Sequence, residues 1–188
     1  MTTPSRDLAT GLPRSIATER LELVSLSADV LTAVAAGDRS VAEQELEAAI
    51  PASWLSGQEH LARHWSKRLS ENPACAPYMA RALVFLGPPR TVVGHAGFHG
   101  PPDAGCAVEV GYTVEPDFRR RGFAEEAARA LAEGAFRSGV RTIRASISPG
   151  NAASRRLVGK LGLQEVDSRL DAVDGHELVF EATLPLDG

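Results

Sequence analysis

Three consecutive arginines, Arg119-Arg120-Arg121, run into Gly122-Phe123-Ala124 where an extended pattern gives way to a helical one. Pro116 stops the extended stretch and the glycine opens the helix. A helix start leaves backbone N–H groups unpaired and carries the positive end of the macrodipole. Glycine lets an anion approach that main chain closely, because no Cβ stands in the way. With fixed positive charge beside it, the junction has the parts of a pyrophosphate cradle. Glu125 and Glu126 in the first turn read as ordinary dipole compensation. The stretch is neither G-x-G-x-x-G nor G-x-x-x-x-G-K-S/T, which argues against dinucleotide and nucleoside-triphosphate binding.

Two further groups could move protons. His95 and His99 stand at even spacing on one extended segment, so they share a face and can relay a proton near neutral pH. His60 and His64 share a helix face, but the sequence between them is H-L-A-R-H rather than H-E-x-x-H. No third ligand stands at metal spacing, so no metal is expected. Trp54 and Trp65 read as packing residues.

The whole-chain charge agrees with a local anion site. The net charge is -4, yet residues 119–160 hold ten Lys/Arg against three Glu, a local +7 on an otherwise acidic body. A nucleic-acid binder would show a dominant basic face, so a polyanionic small molecule is the better match and no nucleic-acid partner is expected. The 188 residues suffice for one domain that buries about 70% of its unfolded surface. No apolar run approaches the ~18 residues of a membrane span, and no secretory h-region follows Met1, so a cytoplasmic protein without a membrane partner is expected. Cys75 and Cys106 read as two small buried thiols.

These groups need a frame to position them. Residues 1–15 lack periodicity and read as a mobile tail; residues 16–188 read as a single domain. Residues 20–26 alternate as a strand, and 28–50 read as helical with a break at Gly37-Asp38. A helix is expected over 56–69, capped by Ser56, with Leu61, Trp65 and Leu69 on one stripe. Strands at 79–86, 91–98 and 106–114 form an antiparallel meander. Then come a helix at 123–138 with Gly139 as its cap, a strand at 141–148 and a helix at 151–161. Strands at 164–170 and 177–184 follow, around a turn at 171–175. The fold class is α/β, an α+β arrangement with a mixed sheet.

On these residues the chain resembles the GNAT superfamily of N-acetyltransferases. Glu109-Val110-Gly111-Tyr112-Thr113-Val114, followed by Arg119-x-x-Gly122-x-Ala124, is similar to its acetyl-coenzyme A signature, Q/R-x-x-G-x-G/A. Asn151-x-x-Ser154 with Lys160-Leu161-Gly162-Leu163 is similar to its N-x-x-S…K-x-G-F motif. Thr18-Glu19-Arg20-Leu21-Glu22-Leu23 resembles the opening of the branch that contains the ribosomal-protein N-terminal alanine/serine acetyltransferases.

The resemblance implies a central, mostly antiparallel mixed sheet whose fourth and fifth strands splay apart, with helices on both faces. It implies acetyl-CoA as donor and an amine as acceptor, in a monomer or homodimer. The main chain of Tyr112, Thr113 and Val114 would pair with the pantetheine arm like an added strand. The N–H groups of Arg119, Arg120, Arg121, Gly122, Phe123 and Ala124 would hold the pyrophosphate. Asn151 would contact the arm and Ser154 would lie nearer the sulfur, with Arg155, Arg156 or Lys160 reaching the ribose phosphate. The amine must be neutral to attack, so a base is needed, and Glu109 is the expected one. Many family members supply the leaving thiolate with a proton from a tyrosine four residues after the serine; here that position is Val158. Ser154, water or departure as thiolate must then serve, with Ser154 the expected catalytic residue, and the missing tyrosine leaves a non-catalytic acyl-CoA sensor as the alternative.

Overall fold

The structure is a computed structural model that describes residues 11–172 and 175–186. Eight strands make one sheet: β1 (Ser15–Ala17), β2 (Leu21–Ser25), β3 (Arg81–Phe85), β4 (Thr91–Phe98), β5 (Ala107–Val114), β6 (Thr142–Ile147), β7 (Gln164–Asp171) and β8 (Gly175–Thr183). Their order is β1-β2-β3-β4-β5-β6-β8-β7, and every pairing is antiparallel except β5 with β6. The helices are α1 (Ala28–Ala36), α2 (Arg39–Leu46), α3 (Ala52–Gly57), α4 (Glu59–Glu71), α5 (Phe123–Arg137) and α6 (Ala152–Lys160).

The alternation of each strand sorts its side chains onto two cores. Val93, Val108, Val110, Ile143 and Ala145 pack with Ala128, Leu131 and Ala135 of α5 and Val158 of α6. Alanines on α5 let that long helix lie close to the sheet. On the other face, Ala82, Val84 and Val92 pack with Val30, Leu31 and Val34 of α1 and with Trp54 and Trp65. Both tryptophans are buried, as packing residues should be.

The parallel pair β5–β6 is short. It joins only Ala107, Val108 and Glu109 to Thr142, Ile143 and Arg144. Beyond those residues β5 keeps its partners on β4, from Val110 to Val114. Residues Ala145 to Ile147 of β6 keep theirs on β8. The strands therefore part. They are the fourth and fifth strands of the expected sheet, shifted by one in number because β1 precedes them.

Three local expectations are corrected. The tail ascribed to residues 1–15 does not reach its stated end: Leu12 is buried in the core against α5, and Ser15 opens β1. Residues 1–10 of that expectation lie outside the described residues, as do Val173 and Asp174 of the turn expected at 171–175. What orders residues 13–14 is Arg81, whose guanidinium is fully buried and donates to the carbonyls of Pro13, Arg14 and Pro77. Ser56 is not a cap: α3 starts earlier, after Pro51, and α4 follows Gln58 without a side-chain cap. Of the two thiols, Cys75 is buried but Cys106 is exposed, because it occupies the left-handed turn into β5 (φ 58°).

Candidate active site

β5, the loop after it and the N-termini of α5 and α6 enclose a cavity of about 630 Å³ beside the parting strands. Tyr112, Thr113 and Val114 form one wall. Arg119, Arg120, Gly122, Phe123 and Ala124 form the floor, and Asn151 and Ser154 face them from α6. Of the expected site residues, two stand outside the lining. The Arg121 guanidinium stacks on the Phe118 ring at 5.3 Å and donates to the Asp117 carbonyl. Glu109 lies on the opposite face of the sheet, because three positions separate it from Tyr112 along a strand of period two.

The loop leaves the start of α5 without a side-chain cap, but the Arg119 amide, expected among the pyrophosphate donors, already donates to the Pro116 carbonyl at 3.3 Å. Arg120 and Gly122 both take left-handed conformations, φ 62° and φ 83°. Gly122 is the N-cap of α5 and no side chain caps that helix. The two carboxylates of the first turn are instead held by cations. Glu126 accepts from the Thr18 hydroxyl, the Arg20 amide and the Arg20 guanidinium at 2.6–2.8 Å. Glu125 pairs with Lys160 at 3.2 Å and Arg129 at 3.7 Å. Arg20 also donates to the Arg121 carbonyl and lies over the Phe123 ring. Thr18 and Arg20 thus brace the loop from 100 residues away in sequence, a role that motif spacing alone did not reveal.

Asn151 caps α6: its side-chain oxygen accepts from the Ser154 amide at 3.1 Å. Its amide nitrogen is left for a ligand in the cavity it lines. Of the three cations proposed for a ribose phosphate, Arg156 and Lys160 line the cavity, whereas Arg155 donates to the Pro149 carbonyl. Lys160 is already paired with Glu125, so Arg156 is the cation with charge to spare. Val158 is buried in the core and takes no part in the lining.

Across the sheet, Glu109 is the hub of a charged cluster. Arg169 of β7 grips both carboxylate oxygens at 3.0 and 3.3 Å. His99 Nδ1 lies 3.4 Å from Oε1. Burial pushes the carboxyl up. Contacts with His99 and Ser146, and the charges of His99 and Arg169, outweigh burial and bring it to about 2. A carboxylate lowered in this way and gripped by Arg169 is a weaker proton acceptor than a free one, which counts against its expected role as the base. Its geometry suits it to hold His99, whose other nitrogen sits over Gly111. A Cβ at that position would come within 2.7 Å of Nε2, so the glycine makes the room. His95 shares this face as expected, but it is largely buried, its Nδ1 has no partner, and burial lowers it to about 4.

The Glu109 shift has a sign that can be tested. Its folded value lies below the ordinary 4.5, so ionised Glu109 stabilises the fold above that pH and the contribution is lost as pH falls toward about 2. Thermal melts across this window should fall more steeply for the native chain than for Glu109→Gln. Parallel curves would refute the cluster.

Residues 20–164 match the profile of the acetyltransferase (GNAT) domain family. The chain belongs to that family and is an acetyltransferase. Among solved structures it is similar to a GNAT-family acetyltransferase from Bacillus anthracis, at 21% identity and a TM-score of 0.60 over 90% of this chain and 98% of that one. It also resembles the ribosomal-protein-S5-alanine acetyltransferase from Vibrio fischeri, at 12% identity and a TM-score of 0.63 over 91% and 97% of the two chains. A third likeness is to the microcin C7 self-immunity acetyltransferase MccE in complex with acetyl-CoA and AMP, at 11% identity, a TM-score of 0.63, and 94% and 97% coverage. At these identities the likeness shows the fold. No curated protein matches the sequence significantly. Among the described residues no group of side chains could hold a metal ion, and no helix is long and apolar enough to cross a membrane.

Proposed function

We propose that this acetyltransferase moves the acetyl group of acetyl-CoA onto a primary amine, a protein N-terminus or a small-molecule amine, by direct attack on the thioester. The observation that carries the reading is the adjacency of two features. Uncapped amides at Gly122 suit the pyrophosphate, and the one-sided edge of β5 from Gly111 to Val114 suits the amide-rich arm. The arm would thus extend the sheet where β6 departs from it. Neutralised Glu125 and Glu126 remove the repulsion that two carboxylates would exert on a diphosphate.

The amine then arrives from the face bearing His95, His99 and Gly111, opposite the donor cavity. His99 is 59% exposed in its side chain and held by Glu109, so it is the group placed to take the proton as the amine attacks. An oxyanion on the former thioester carbonyl would be met by a β5 backbone N–H. The reading suits a cytoplasmic enzyme acting as monomer or homodimer.

Release of free thiol from acetyl-CoA, measured with N-terminal peptides, polyamines, aminoglycosides and amino acids, tests this. At least one amine should release thiol in step with amide formation. Saturable acetyl-CoA binding without amide formation from any of them would sink the proposal.

A further inference from the structure

Departure of the thiolate is the step for which the sequence supplies no donor at position 158, and the structure puts that position in the core. The cavity wall nevertheless carries a phenol. Tyr112 turns its ring to the α5–α6 side of β5, and its hydroxyl is buried without a properly formed hydrogen bond. A buried polar atom left unsatisfied is costly, and such atoms in a native fold call for a reason. Burial raises the phenol above its ordinary value, and the Ser154 hydroxyl beside it offsets part of that rise. Tyr112 therefore keeps its proton throughout the neutral range. Ser154 is half-buried and caps nothing with its hydroxyl, so it can connect the phenol to the open part of the cavity.

From this arrangement we infer that Tyr112 is the proton donor to the leaving sulfur, with Ser154 relaying a proton back to it. The inference rests on the donor-site reading above. When the carbon–sulfur bond breaks, its electron pair goes to sulfur and the Tyr112 O–H gives sulfur its proton. The phenolate recovers a proton through Ser154 and solvent. The proton lost by the amine passes to His99 on the other face and then to solvent, so amine and thioester become amide and free thiol with nothing left over. Tyr112 reaches the cavity from the strand, whereas a residue at 158 would have come from α6. The main chain of Tyr112 and its side chain thus have separate tasks.

Free CoA serves as the probe, because its thiol reports the contact without an acceptor. The ionisation of bound CoA is followed by thiolate absorbance in the native chain and in Tyr112→Phe, with CoA affinity measured alongside by calorimetry. A hydrogen bond from the phenol stabilises the thiolate, so the bound thiol should ionise about one pH unit higher in Tyr112→Phe, at similar affinity. With an amine that turns over, kcat should fall about 100-fold while the KM for acetyl-CoA holds within about twofold. An unshifted bound thiol, or a loss confined to CoA affinity, would overturn the role of Tyr112 while leaving the donor site standing. Absence of CoA binding to the native chain would overturn the donor site and this role together.

Discussion

Replacing Gly122 by aspartate is expected to abolish detectable binding of acetyl-CoA, a loss of at least about 100-fold. Three effects add at one atom. A φ of 83° is strained for any residue with a Cβ, at about 1–3 kcal/mol. A Cβ there would approach the Arg20 guanidinium to 3.2 Å, and that guanidinium is already engaged by Glu126 and the Arg121 carbonyl. The new carboxylate would then occupy the place meant for phosphate, satisfying the free amides itself. A hundredfold loss corresponds to about 2.7 kcal/mol. Calorimetric titration with CoA reads the result, and Gly122→Ala, which adds the strain without the charge, should fall between the two. Native-like affinity in the aspartate variant would show that the phosphates bind elsewhere.

His99→Gln is expected to lower kcat by about 100-fold or more while the affinity for acetyl-CoA stays the same, because the imidazole and the cavity lie on opposite faces of the sheet. Glu109→Gln should cost less, since it loosens the orientation of the ring and leaves its nitrogen in place. The double variant should be no slower than His99→Gln alone, as befits two residues acting as a unit. Steady-state rates on an accepted amine decide the matter. Losses that multiply would give Glu109 an independent role, and an unaffected His99→Gln would remove the base from this face.

The glycine, its arginines and the helix behind them were legible because helix-terminus physics is local: six adjacent residues state it. Asn151 and Ser154 came instead from the resemblance to the N-x-x-S motif, and the structure adds that the Asn151 side chain caps α6 by accepting from the Ser154 amide. Strand β4 matched its expected limits of 91–98, since the turn residues 87–90 and 100–105 bound it on both sides. What sequence could not show was reach across the fold. Arg169 lies 60 positions from Glu109, and only the β7–β8 hairpin brings the two together. The brace from Thr18 and Arg20 to Glu126 spans more than 100 positions. Strand β1 escaped notice because three residues are too few to show a period; it is ordered by pairing with β2 and by a guanidinium buried against the residues just before it. The direction of the Tyr112 side chain follows from which face α5 covers, which a strand pattern leaves undetermined.

The three-residue seam between β5 and β6 has a consequence for how such a protein can diversify. In the proposed function a sheet parted there has two doors, one for the acyl carrier and one for the acceptor. On this reading the carrier's latch sits on α5 and α6, while the acceptor's threshold is drawn by α3, α4 and the outer hairpin. Drift in the second set can retune the choice of amine without disturbing the first, so one engine can serve many customers.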